Sequence, residues 1–174
     1  MRKLVTVLLM SVRKIVLYPH PMLRVKCTPV EVLDGEIRSL IVDMVDTMYH
    51  HPGCVGLAAP QIGVPRRVFV IDVSRKQGPK GNHGLVVLVN PTIVRAEGSK
   101  IGREGCLSIP EFLGDVMRAR RVVVEGWDAE GREVSVAAKG LEAVAVQHEM
   151  DHLNGILFID KLSSLGRGLI RRRR

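Results

Sequence analysis

The segment His148-Glu149-Met150-Asp151-His152 constrains this chain more than any other. It has the form H-E-x-x-H and lies within residues 141–154, which read as a helix. Leu141, Ala143, Val144, Ala145 and Val146 are apolar almost all round, the mark of a buried helix, and Gly155 supplies a stop. Positions four apart share one helix face, so both imidazoles can reach one metal ion. The Glu beside the first His can then address a water on that metal. This many polar side chains on a buried helix would be costly without partners. In a chain with six His and ten Glu, chance supplies such a pattern only about 0.01 times, so a metal site is the first conclusion.

A catalytic tetrahedral site needs a third protein ligand. One metalloprotease class continues as H-E-x-x-H-x-x-G-x-x-H. Gly155 fits that pattern, but the third-His position is Phe158, no His follows His152, and the only later acid is Asp160. The third ligand must therefore come from upstream. Cys106 is the best candidate, within Glu104-Gly105-Cys106-Leu107-Ser108-Ile109-Pro110. Its neighbours Gly105 and Pro110 imply a strand or turn of fixed shape, with room for backbone to approach a ligand. Cys54 and Cys27 are competitors, and Cys27 reads as a small buried hydrophobe. Asp151 reads as an orienting or structural carboxylate.

The rest of the chain reads as α+β in one domain, with short, mostly antiparallel strands around the buried H-E-x-x-H helix. Residues 31–49 form a first helix on the i, i+3, i+4 pattern of Ile37, Leu40, Ile41, Met44, Val45 and Met48, with Asp34 as N-cap and Pro52-Gly53 as stop. Residues 53–65 read as an irregular connection. Val68 to Val73 and Leu85 to Val89 are buried strands separated by a polar loop, and Val122 to Trp127 pairs with Arg132 to Ala137 in a hairpin. A short helix follows from Ser163. Aromatics are only 3% of the chain, so aliphatic residues must fill the core, and no apolar run reaches the ~20 residues of a membrane span.

Charge is unevenly placed. Residues 1–30 and 161–174 each hold six Lys/Arg and no acid, which leaves 14 basic against 18 acidic residues between them. Three regions follow: a basic extension over 1–14, a catalytic body over 15–160 and a basic segment over 161–174. The closing Arg171 to Arg174 reads as a solvated tail or as a contact for a polyanion such as RNA. Residues 1–10 faintly resemble a signal peptide without a cleavage site, and a start at Met10 is the alternative. Three cysteines, an odd number, fit a reducing cytoplasm better than a disulfide framework, with an organelle as the less favoured location.

Three segments together resemble the motifs of the peptide deformylases: Gly56-Leu57-Ala58-Ala59-Pro60-Gln61, the segment around Cys106, and Gln147 to Gly155. They stand in the family's order and at similar spacing. Tyr18-Pro19-His20-Pro21-Met22-Leu23-Arg24 resembles its N-terminal segment, so the likeness runs from about Ile15 to Leu162. It implies that Cys106, His148 and His152 bind a divalent metal, Fe²⁺ in cells and often Zn²⁺ or Ni²⁺ in preparations. Glu149 would be the general acid/base. Gln61 and the Leu107 N–H would bind the formyl oxygen, and Glu104 would pair with Arg118, which otherwise reads as a surface charge. One departure stands out: the family's first motif begins with Gly where this chain has Cys54, a thiol exposed to oxidation if it lies near the site.

The implied reaction is hydrolysis of the N-formyl group from the starting methionine of a new polypeptide, releasing formate. The metal lowers the pKa of its water towards ~7. Glu149 takes the water proton and later delivers it to the leaving amine, while the metal, Gln61 and Leu107 hold the developing oxyanion. Leu141, Val144 and Ala145, one to two turns before His148, are candidates for the methionine pocket. Val55 and the motif glycines Gly56 and Gly105 join them as substrate-binding positions, with plain core packing the alternative for the apolar four. A zinc endopeptidase lacks its downstream ligand here. A non-catalytic, metal-stabilised RNA-binding domain would need neither Glu149 nor Gln61.

Overall fold

The computed structural model describes residues 11–78, 80–164 and 168–172. Most of the N-terminal extension, together with Arg173 and Arg174, lies outside the described residues. Helix α1 spans Gly35–His50. The Asp34 carboxylate accepts from the Ile37 N–H at 3.0 Å, so the helix starts after that cap and four residues later than expected. Its stripe of Ile37, Leu40, Ile41, Met44 and Met48 is buried as the periodicity requires.

The region expected to be irregular after α1 is ordered. It holds strand β1, Gly56–Ala58, and a 3₁₀ turn, Ala59–Ile62. Strand β2, Val68–Ile71, is followed by a one-turn helix α2, Ser74–Gln77. Strand β3 runs from Val86 to Glu97, much longer than the apolar run that announced it. Bulges punctuate its pairing with β6, and at one of them Asn90 takes a positive φ of 52°. The Asn90 side chain ties this kink to both backbone groups of Val30.

Strands β4, Lys100–Cys106, and β5, Ile109–Arg118, form a hairpin whose register jumps just before Cys106. Strands β6, Arg121–Trp127, and β7, Glu133–Lys139, form the expected second hairpin. Its turn is held by Asp128, which accepts from the N–H groups of Glu130 and Arg132 at 2.9 Å each. Helix α3, Leu141–Leu153, carries the H-E-x-x-H segment. A 3₁₀ turn at Phe158–Lys161 follows, the helix expected from Ser163 falls largely on residues 165–167, which lie outside the described residues, and strand β8 spans Leu169–Arg171. Antiparallel pairing with Phe112, Leu113 and Gly114 of β5 supplies the backbone partners of Leu169–Arg171.

Two antiparallel sheets result, one ordered β1-β2-β3-β6-β7 and the other β4-β5-β8. Strand β2 shows how they are covered. Phe69 and Ile71 pack with Ala143, Val146 and Leu153 of α3, whereas Val68 and Val70 pack with the α1 stripe on the opposite face. Helix α3 is thus enclosed by the first sheet on one side and approached by the β4–β5 hairpin on another, with Cys106 and Phe158 sharing a third cluster. The architecture is the expected single-domain α+β arrangement. No described helix is long and apolar enough to cross a membrane.

Candidate metal centre

Strand β4 delivers Cys106 to the face of α3 that carries His148 and His152. One donor atom from each of the three lies within 4.8 Å of the others, and all three residues are buried. Cys106 Sγ is 3.2 Å from His152 Nε2. His148 turns its Nδ1 to Glu104 Oε2 at 2.9 Å, which leaves Nε2 to face the same point. One thiolate and two imidazoles make a donor set suited to a borderline divalent ion. Among the described residues, the buried Glu149 Oε2 finds no protein partner, as expected of a carboxylate facing a bound group. The residues therefore fit a metal ion. The position where one protease class places a third His is occupied by Phe158, whose ring stacks on His148 with centroids 6.4 Å apart.

Behind these three side chains lies a buried ion network. Arg118 donates to both oxygens of Glu104, at 2.7 and 2.9 Å, and to Asp151. Lys161 reaches the other Asp151 oxygen at 2.7 Å. Burial opposes a charge on Glu104, but hydrogen bonds from Arg118 and His148 outweigh it and hold the carboxyl down at about 2. Glu104 is thus a fixed anion oriented towards the His148 ring. Arg118, which reads as a surface charge, is only 4% exposed. Asp151 has the structural role expected of it, and Lys161 is a partner that nothing in the sequence announced.

Glu149 sits beside the three candidate donors with its carboxyl pushed up to about 7, chiefly by burial. The positive charges of His148 and Arg118 oppose this rise, and the anions Glu104 and Asp151 add to it. A group that exchanges its proton near neutrality suits general acid/base work. The β1 backbone passes directly over it: a Cβ at Gly56 would lie 2.4 Å from Glu149 Oε1, so any side chain there would displace the carboxyl.

Gln61 is buried on the 3₁₀ turn that Pro60 begins to rigidify. Its Oε1 accepts from the Ala58 N–H at 2.9 Å, which fixes the amide so that Nε2 donates to Cys106 Sγ at 3.3 Å and Ser108 Oγ at 3.2 Å. Ser108, within the second motif, is the partner the sequence reading passed over. Leu107 lies at the β4–β5 turn and lines the same cleft as Gln61 and Cys106.

That cleft encloses about 290 Å³. Val55, Leu141, Val144 and Ala145 form an apolar wall, and Gly56 and Gly105 contribute backbone. Val144 stands apart from the core clusters, whereas Ala145 is also packed among them. Glu104, Arg118 and His152 stand behind the cleft rather than in it. Cys54 lines it too, with a φ outside the left-handed region, so the position does not demand glycine. Its thiol donates to the Gly56 carbonyl at 3.1 Å, and burial pushes it up to about 12. A protonated thiol of this kind is a weak nucleophile. Cys27 is buried in the core on the α3 side, as expected of a small hydrophobe.

A buried Cys/His/His donor set, a carboxyl poised near neutrality and an adjacent apolar cleft suit a metal-dependent hydrolase. The chain belongs to the polypeptide deformylase family, whose model matches residues 12–168. It is 47% identical over 165 residues to the peptide deformylase of Rhizobium meliloti (strain 1021), covering 94% of this chain and 92% of that one. The crystal structure of a Legionella pneumophila peptide deformylase superposes with a TM-score of 0.81 at 45% identity, covering 89% of this chain and 88% of that one. The Ehrlichia chaffeensis enzyme in complex with actinonin gives a TM-score of 0.82 at 38% identity, covering 90% and 91%. The chain is accordingly an enzyme that removes N-formyl groups from newly made polypeptides.

Proposed function

We propose that Cys106, His148 and His152 hold the catalytic divalent ion and that Glu149 moves the proton during deformylation. The observation that carries this reading is the convergence of the three donors within 4.8 Å beside a carboxyl raised to about 7. The ion, Fe²⁺ in cells and replaceable by Zn²⁺ or Ni²⁺ in preparations, supplies Lewis acidity and an activated water when bound. Glu149 accepts the proton of the attacking water and returns it to the methionine nitrogen as the C–N bond breaks. Gln61, its amide held by Ala58, directs Nε2 at the formyl oxygen, and the Leu107 N–H shares the developing charge. Val55, Leu141, Val144 and Ala145 receive the methionine side chain, with Gly56 and Gly105 admitting the substrate backbone. Glu104 and Arg118 fix the His148 ring from behind.

In this reading residues 15–160 are the catalytic body, working in the cytoplasm on formyl-methionyl nascent chains. The basic C-terminal segment, 161–174, adds a contact with ribosomal RNA; deleting residues 166–174 should then weaken ribosome binding at low salt. The deciding experiment measures formate release from a formyl-Met peptide by anaerobically prepared Fe²⁺ protein. Fast release that Glu149→Ala and Cys106→Ser each abolish, and that actinonin blocks, supports the roles given. Unimpaired release by Cys106→Ser would remove Cys106 from the ligand set.

A further inference from the structure

We propose that Arg172 makes this enzyme favour substrates with an acidic side chain shortly after the formyl-methionine. The inference rests on the cleft described above being the substrate site. Strand β8 adds to β5 through Leu169–Arg171, and the Arg172 N–H continues the pairing to the Glu111 carbonyl at 2.7 Å. This register turns the Arg172 side chain into the cleft. Its guanidinium lies on the backbone of Gly105, where a Cβ would come within 2.7 Å of Nη2. The charge therefore stands next to the residue preceding Cys106, at the cleft mouth.

Two more cations border the same cleft, Lys76 from α2 and Arg103 from β4. Arg103 is already paired with Asp115 at 3.0 Å. Among the described residues, no carboxylate partners the Arg172 guanidinium. Among the described residues, the only acid lining the cleft is Glu149, which is 3% exposed and turned to the candidate metal ligands. The rim is thus positive, and the wall formed by Val55, Leu141, Val144 and Ala145 is apolar.

A formyl carbon at the metal ligands and a methionine side chain on the Leu141–Val144 wall leave the following residues to exit along the rim. An extended chain advances about 3.3 Å per residue, so the second to fourth residues pass within reach of an arginine side chain. A carboxylate there can take the planar, two-pronged pairing that guanidinium offers, while a lysine would meet like charge.

The test compares kcat/KM for C-terminally amidated formyl-methionyl tetrapeptides that differ only by Glu, Gln or Lys at the second, third or fourth residue, using the full, metal-loaded chain. The Glu peptide should exceed the Lys peptide by about two- to fivefold at one or more positions, the range of solvent-exposed ion pairs. That ratio should fall towards one in Arg172→Gln, invert in Arg172→Glu, and shrink in ~1 M salt, where the Debye length is about 3 Å. Because the readout is a ratio, it does not depend on the fraction of active protein.

Equal rates for Glu and Lys at all three positions, or a ratio that survives Arg172→Gln, would overturn the proposal. So would a gain found only for peptides with a free C-terminal carboxylate. Failure to turn over even the Gln peptides would strike the assignment of the site. Binding of the unformylated Glu and Lys peptides, read by fluorescence anisotropy, would then decide the ion pair on its own.

Discussion

Glu104 Oε2 lies 2.9 Å from Nδ1 of His148, and the same carboxylate is gripped from behind by Arg118 at 2.7 and 2.9 Å. A strand thereby sets the tautomer and tilt of a candidate ligand on a helix. The hydrogen bond also makes the imidazole a better donor to a cation. Arg118 in turn bridges Glu104 to Asp151, so Cys106 on β4 and the two His of α3 are fixed relative to each other by one buried cation.

Two substitutions separate metal tuning from folding. Glu104→Gln keeps the volume but removes the anion behind His148, and metal affinity should fall about 10–100-fold in a chelator competition. Arg118→Met leaves Glu104 and Asp151 buried without their shared cation. Breaking a buried pair in this way costs about 3–5 kcal/mol, to be read from urea unfolding of the metal-free protein. An Arg118→Met protein of unchanged stability would mean that the network is not needed for the fold.

Gly56→Ala should act on chemistry with little effect on metal content. The new methyl would press on Glu149 Oε1, and the carboxyl must move. A displacement of about 1 Å in a catalytic group can cost on the order of 10²-fold in rate, so kcat should fall by roughly that factor. One metal ion per chain should be retained, because none of the ligands touches the added atom.

The site was more legible than the frame that holds it. His148, Glu149 and His152 lie within one local, periodic segment, so their candidacy for a metal site is legible from spacing alone. Cys106 required elimination among three cysteines and then a family likeness. The β4–β5–β8 sheet left little trace: Lys100 to Cys106 is broken by Gly102 and Gly105 and carries charges on both faces. The buried state of Arg118 is set by Glu104, 14 residues away, and Asp151, 33 away. Nothing local distinguishes it from a surface arginine. Arg172 sits in an arginine run that reads as solvated, and its place depends on the pairing of β8 with Phe112, Leu113 and Gly114.

Cys54 should behave as packing. Its thiol, pushed up to about 12, should resist iodoacetamide at pH 8 in the folded protein, as judged by peptide mass mapping. Cys54→Gly, which installs the residue usual in the family, removes a buried side chain and its contact with the Gly56 carbonyl, and frees a backbone position with no need of a left-handed φ. A loss of about 1–2 kcal/mol is expected from entropy and burial together. Rapid alkylation of the native protein at Cys54 would contradict this account.

The last prediction concerns alkaline pH and the loop leading to Gly56. Tyr49, near the end of α1, donates its hydroxyl to Asp72 at 2.7 Å, while the Asp72 N–H donates to the Val55 carbonyl at 2.9 Å. The end of α1, the end of β2 and the approach to β1 are thus joined. Burial, then the Asp72 hydrogen bond and charge, push Tyr49 up to about 12, against about 10 in an unfolded chain. A raised folded-state pKa means that the neutral phenol is the form the fold favours. The associated stability is fully present below about pH 10 and is lost between about pH 10 and 12 as the phenol ionises. Ultraviolet difference titration should show a late phenolate component near pH 12 that Tyr49→Phe removes. The same substitution should flatten the fall in stability across that window and lower stability at neutral pH by about 1 kcal/mol, the worth of one hydrogen bond. A phenolate component that persists in Tyr49→Phe would assign the late titration to another residue and break the proposed link between Asp72 and the loop.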